Sequence, residues 1–127
     1  MMKRSFADIL EGLEGDRARK VARKLPSWAA ASAEVPTALS LEQCSSETAA
    51  RYKACLVSRI VSTPPETIVD ITGGLGVDSW AFSQVVGRVV YFERDAELTA
   101  AAARNFARLD ATGIEGRCGT GTPDTDL

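Results

Sequence analysis

The chain has no histidine, and its three cysteines (Cys44, Cys55 and Cys118) lack the close pairing that a zinc site uses. An odd number of scattered thiols offers no disulfide framework either, so free thiols in a reducing compartment are the expectation. No apolar run approaches the roughly 20 residues that span a bilayer, and the amino terminus lacks the apolar core of a signal peptide. These absences predict a cytoplasmic protein with no metal and no membrane partner. A large excess of one charge is also missing. The net charge of −2 and pI near 5.2 do not mark an obligate nucleic-acid binder.

What remains is ordinary in bulk and uneven in detail. The 127 residues are 45% apolar and 25% charged, enough for one small globular domain or for part of a larger one. Residues 1–60 hold ten Lys/Arg against seven Asp/Glu, whereas residues 61–127 hold five against ten. The amino-terminal half is therefore mildly basic and the other half acidic.

Helical spacing opens the chain at Phe6, Ile9, Leu10 and Leu13. Gly15 and Asp16 predict a break, with Asp16 capping a second helix that runs to about Leu25. That second helix carries Arg17, Arg19, Lys20, Arg23 and Lys24, which could meet RNA phosphates or simply form a solvated face. Pro26 is expected to end it and to start an irregular connection through Pro36. Further on, Ser40 with Gln43 fits a capping box, and Ser45 or Ser46 can cap a helix to about Val61. Tyr52, Leu56 and Ile60 form its predicted apolar stripe, and Pro64-Pro65 stops it. This helix could present amino-terminal amides to a bound anion, or could serve only for packing.

The most informative stretch follows, Thr67-Ile-Val-Asp-Ile-Thr-Gly-Gly-Leu-Gly-Val-Asp78. Val69 and Ile71 flank Asp70 in what reads as a buried parallel strand, and Gly73, Gly74 and Gly76 form the turn after it. A helix with Val77, Ala81, Phe82 and Val85 on one side comes next, and Gly87 is its natural stop. Arg88-Val-Val-Tyr-Phe-Glu93 is a second strand. Asp95 caps a third amphipathic helix with Leu98, Ala102, Phe106 and Leu109 on its apolar face. Ile114-Glu-Gly-Arg-Cys118 fits a short third strand, and the remaining residues read as a loop. The β-α-β-α order predicts an α/β fold with a parallel sheet.

Strand, glycine turn and helix form the front half of a nucleotide-binding unit. Glu93, at the end of the second strand, stands where an acid accepts hydrogen bonds from ribose hydroxyls. Ser79 occupies the place of the third glycine in the dinucleotide fingerprint, and Asp78 puts an anion near the position of a pyrophosphate. Both argue against a nicotinamide or flavin dinucleotide. No Gly-Lys-Ser/Thr follows the glycines, which excludes a P-loop. A carboxylate such as Asp70 before the glycines suits a ligand with a cationic amine, and S-adenosylmethionine combines that amine with a ribose.

Asp70-Ile-Thr-Gly-Gly-Leu-Gly-Val-Asp78, followed by Tyr91-Phe-Glu93, resembles motif I and the subsequent acid of class I S-adenosylmethionine-dependent methyltransferases. The D-x-T-x-G-x-G-x-D form is similar to RNA-modifying members, including a bacterial small-subunit rRNA guanine methyltransferase family. Pro26-Ser-Trp28, Leu41-Glu-Gln-Cys-Ser-Ser-Glu47, Thr48-Ala49 and Tyr52-Lys-Ala54 more closely resemble the amino-terminal part of the THUMP-like-domain-containing methyltransferase family. The resemblance covers roughly residues 20–110. It implies an amino-terminal helical region over residues 1–62, then the first part of a Rossmann-like methyltransferase domain over 63–127. It also implies S-adenosylmethionine as cofactor and RNA as substrate. Gly73, Gly74 and Gly76 would approach the methionine part, Asp70 would lie near its amine, and Glu93 would hold the ribose. Thr72 and Asp78 would shape the loop.

The chain departs from the family pattern after the third strand. The substrate-side Asn/Asp-Pro-Pro-aromatic motif has no counterpart, so no catalytic residue or general base is assigned. Asp124 and Asp126 are the available stand-ins for an adenine-contacting acid. Two or three parallel strands with their helices cannot cover both faces of the sheet and would leave apolar edges exposed, so a truncated piece of a longer enzyme is expected. A non-catalytic S-adenosylmethionine-binding or interaction module is the alternative to a methyltransferase.

Overall fold

The computed structural model describes residues 4–60, 66–122, 124 and 125. Four helices precede the first strand: α1 (Phe6–Lys24), α2 (Pro26–Ala30), α3 (Ala38–Gln43) and α4 (Glu47–Ile60). Then come β1 (Thr67–Asp70), α5 (Val77–Phe82), β2 (Arg88–Glu93), α6 (Ala96–Arg108) and β3 (Ile114–Cys118). Among the described residues the strands form one parallel sheet in the order β1-β2-β3. The expected α/β class and all three strands are present.

The central strand β2 supplies the sheet's most deeply buried residues. Val89, Val90 and Tyr91 are fully enclosed and Phe92 nearly so. β1 differs from the expected buried strand. Among the described residues it has a single neighbour in the sheet, its apolar residues are only partly covered, and Ile71 just beyond it is 56% exposed. Asp70 is the buried residue of this segment. An edge position leaves the strand half open, while the turn that follows supplies the donors that make a buried carboxylate tolerable.

Several helical expectations are corrected. The predicted break at Gly15-Asp16 does not occur, and α1 is continuous. Its start is fixed by a reciprocal Ser5–Asp8 capping box, and Asp16 pairs with Arg19 in place of capping a new helix. Each interior glycine costs about 1 kcal/mol relative to alanine. Burial of Val21 in α1 and of Leu25 at its carboxyl-terminal cap favours the unbroken helix. The apolar positions of its first half face outward, with Phe6 and Leu13 76% and 61% exposed.

Pro26 begins a helix where an irregular connection was expected. It stands at the first position of α2, where a proline's missing N–H costs nothing. The expected Ser40–Gln43 box is replaced by one between Thr37 and Ser40, which starts α3 three positions earlier. In α4, Ser46 caps the amide of Ala49 as expected, but the stripe of Tyr52, Leu56 and Ile60 does not face the core. Ala50 and Ala54 do, because small side chains let α4 approach α5 closely. The expected continuation to Val61 and the stop at Pro64-Pro65 lie outside the described residues.

The core draws on both the amino-terminal helices and the sheet. Trp28 of α2 is fully enclosed and meets Trp80 and Phe106 edge to face, at 6.2 and 6.5 Å between ring centroids. Phe106 meets Tyr91 in the same manner at 5.7 Å. Such pairs add about 0.5–1.5 kcal/mol each beyond area burial. Asn105 fastens the segment before α3 to α6: its side chain accepts the N–H of Glu34 at 2.7 Å and donates to the Glu34 carbonyl at 2.8 Å. The carboxyl-terminal loop also packs, since Gly121 lies against Phe92 and Ile71 so closely that a Cβ would meet both below 3 Å.

Candidate functional site: the glycine turn and its crevice

The turn after β1 is organised around Asp70. Its Oδ1 accepts the N–H of Thr72 at 3.0 Å, the hydroxyl of Thr72 at 2.8 Å and the N–H of Gly73 at 3.3 Å. Its Oδ2 accepts the hydroxyl of Ser79 at 2.7 Å. These donors satisfy the buried carboxylate and bend the chain back over its own strand end. Ser79, noted in the sequence only as a departure from a dinucleotide fingerprint, is a fully buried partner of Asp70.

The glycines answer to different demands. Gly73, at φ +42°, lies directly over the end of β2, where a Cβ would come within 2.2 Å of the Phe92 carbonyl oxygen. Gly74, at φ +62°, would place a Cβ in open space, 3.8 Å from its nearest neighbour. Gly76 packs against the Phe106 ring. Two of the three are therefore required by packing, and Gly74 presents bare backbone outward.

Glu93 closes the arrangement from the second strand. Its Oε1 accepts the Gly74 N–H at 3.0 Å, and its Oε2 accepts the Asp95 N–H at 2.7 Å. Asp95 in turn caps α6 through the amides of Glu97 and Leu98. Beneath the turn, the Tyr91 hydroxyl donates to the Gly74 carbonyl. Burial, followed by the nearby charges of Glu93 and Asp70, pushes this phenol well above its ordinary range, so it remains a donor.

Beside the turn lies a crevice of about 530 Å³. Thr72, Gly74 and Glu93 line it from the strand ends, and Thr37, Ser40 and Gln43 line it from α3 and its cap. Of the residues singled out in the sequence, Thr72, Gly74 and Glu93 thus share the crevice. Asp70, Gly73 and Gly76 do not line it and hold the loop from within. Asp78 points to α4, where Lys53 holds it at 3.1 Å while also donating to Ser45 at 2.8 Å. Asp124 is exposed and does not line the crevice, and Asp126 lies outside the described residues.

Sequence reasoning missed the wall built by α3, because no local pattern signals a contact made across the fold. Cys44, at the end of that wall, is half-buried, and burial raises its thiol above the usual range despite the nearby Lys24 ammonium. It therefore stays a neutral thiol at neutral pH. Among the described residues no helix is long and apolar enough to cross a membrane.

No family model and no curated protein matches the chain. A solved structure from Porphyromonas gingivalis W83, described as a "putative methyltransferase", does match, with 34% identity and a TM-score of 0.65 over 80% of this chain. The matched region is 24% of that protein, so the chain spans about a quarter of its length. Over the matched residues the two share one α/β fold, a methyltransferase-like fold with a parallel sheet.

Proposed function

We propose that this chain is the cofactor-binding part of an S-adenosylmethionine-dependent methyltransferase, with Rossmann-like topology around the glycine turn. The observation that carries the reading is the meeting of Glu93 with Gly74 at the rim of one crevice. A carboxylate has about four lone-pair positions, and two are taken by the amides of Gly74 and Asp95. The remainder can accept the two hydroxyls of a ribose. Gly74 leaves space for a ligand's tail against bare backbone, and Thr72 offers a side chain at the same rim.

When bound, S-adenosylmethionine supplies a methyl group on a sulfonium, transferred by in-line displacement. The chain's own residues bind and orient: Glu93 fixes the ribose, Asp70 holds the loop through its four donors, and Tyr91 and Asp78 keep the loop from shifting. Such positioning supplies much of the acceleration in displacement reactions. RNA as the methyl acceptor is supported by the resemblance to RNA-modifying families and by the basic residues of α1. The "methyltransferase" description of the matching structure supports the reaction class.

Calorimetric titration with S-adenosylhomocysteine tests the reading. Wild type should bind, and Glu93→Ala should bind at least tenfold more weakly, as expected for losing charged hydrogen bonds of about 1.5–3 kcal/mol. Thermal melting would establish that the variant remains folded. Equal binding by both proteins, or binding of NADH in preference to the homocysteine analogue, would overturn the assignment.

A further inference from the structure

The wall that α3 gives the crevice has a direction. Its beginning is fixed to α6: Glu34 is bonded to Asn105 and paired with Arg104 at 2.6 Å, and Thr37 shares the crevice with Asp95 and Leu98. Its end is fixed to the glycine turn's side. Ser45 is bonded to the same Lys53 ammonium that holds Asp78. Lys24 pins α3 from behind by donating to the Leu41 and Glu42 carbonyls at 2.6 and 3.2 Å. The helix therefore runs along the crevice from the α6 end towards the glycine end. Gln43, its last residue, stands at the glycine end.

Gln43 lines the crevice, is exposed, and its side-chain amide makes no hydrogen bond to another described residue. A primary amide offers two donors and a carbonyl acceptor on one flat group. A zwitterionic α-amino acid presents the complementary set, an ammonium donor and a carboxylate acceptor. We infer that Gln43 is a ligand-binding residue that holds the amino-acid tail of the cofactor across the crevice from Gly74. The inference rests on the reading of the crevice as an S-adenosylmethionine site, and it assigns the second wall a part in recognising the ligand. Glu93 then reads the sugar from the sheet side, and Gln43 reads the amino acid from the helical side. Lys24 acts through α3 as a positioning residue for this contact.

Two ligands separate this contact from a general effect on the crevice. S-adenosylhomocysteine carries the amino-acid tail, whereas 5′-methylthioadenosine keeps the nucleoside and the sulfur without it. Gln43→Ala should weaken S-adenosylhomocysteine about tenfold, the scale of hydrogen bonds to charged groups, and leave methylthioadenosine unchanged. Gln43→Glu keeps an acceptor for the ammonium but loses both donors to the ligand's carboxylate, so it should also weaken the former, again without changing the latter. Both substitutions fall at an exposed position, so thermal melting should match wild type. Equal losses for the two ligands, or no loss for either, would overturn the role of Gln43 while leaving the cofactor reading intact. Binding of neither ligand by wild type would overturn both.

Discussion

One carboxylate oxygen of Glu47 accepts the backbone N–H of Trp28 at 3.1 Å and that of Ser27 at 2.6 Å. The acid stands in the first turn of α4, yet it caps α2, a helix that has no capping side chain of its own. Helix-start amides lack partners within the helix, and here they would otherwise be enclosed beside the aromatic core. Glu47 is itself buried, so its charge is tolerated because those two N–H groups receive it.

Glu47→Ala should therefore lower the unfolding free energy by about 1–3 kcal/mol, the cost of leaving enclosed donors unsatisfied. Glu47→Gln keeps the shape and one acceptor oxygen, and it should lose distinctly less. Urea denaturation followed by tryptophan fluorescence reads both, since Trp28 lies at the affected helix. Equal stability of Glu47→Ala and wild type would mean that water reaches those amides.

The interplay of Glu47 with Trp28 also marks where sequence reading stops. β1 and β2 are legible because each is a short apolar run beside glycine, β1 before Gly73 and β2 after Gly87, and α6 is legible because Asp95 precedes a sustained stripe ending near Leu109. The position of Glu93 at the end of β2, facing the glycine turn, followed from the same pattern. The structure departs from the sequence pattern where a single residue stands as punctuation. Pro26 initiates a helix because an acid distant in sequence supplies its cap. Gly15 stays helical because core contacts further along α1 outweigh its local cost. On α4 the large apolar stripe faces outward because close packing on α5 selects Ala50 and Ala54. The α3 wall of the crevice is created by tertiary contacts at both of its ends, and no window of sequence contains them.

Gly73 and Gly74 are neighbours with opposite predicted responses to alanine. At Gly73 the added Cβ would lie 2.2 Å from a backbone carbonyl oxygen that cannot turn aside, at φ +42°. Gly73→Ala should displace the turn from β2 and destabilise the fold by more than about 2 kcal/mol. At Gly74 the Cβ meets nothing closer than 3.8 Å, so only the left-handed backbone is penalised, by roughly 1–2 kcal/mol. Its methyl group would nevertheless occupy the place expected for the ligand. Gly74→Ala should thus melt below wild type by only that backbone penalty, and above Gly73→Ala, while losing S-adenosylhomocysteine affinity at least tenfold. If it kept both stability and affinity, the ligand would not approach this stretch of backbone.

Tyr91 makes the alkaline limb of stability a test of the packing under the turn. The phenol is enclosed and donates to the Gly74 carbonyl, and burial raises its proton affinity first, with Glu93 and Asp70 adding to it. Below about pH 10, the ordinary tyrosine value, folded and unfolded chains both keep the proton and the group adds no pH dependence. Above that value the unfolded chain releases it while the folded chain retains it. The unfolded state then binds fewer protons, so stability must fall as pH rises, at up to about 1.4 kcal/mol per pH unit. Tyr91→Phe should lose about 1 kcal/mol at neutral pH with the missing hydrogen bond, yet show a shallower decline above pH 10. Urea midpoints of the two proteins between pH 8 and 11 should therefore converge. Parallel curves would mean that the phenol ionises as readily inside the fold as outside it, and that the turn does not seal the ring from water.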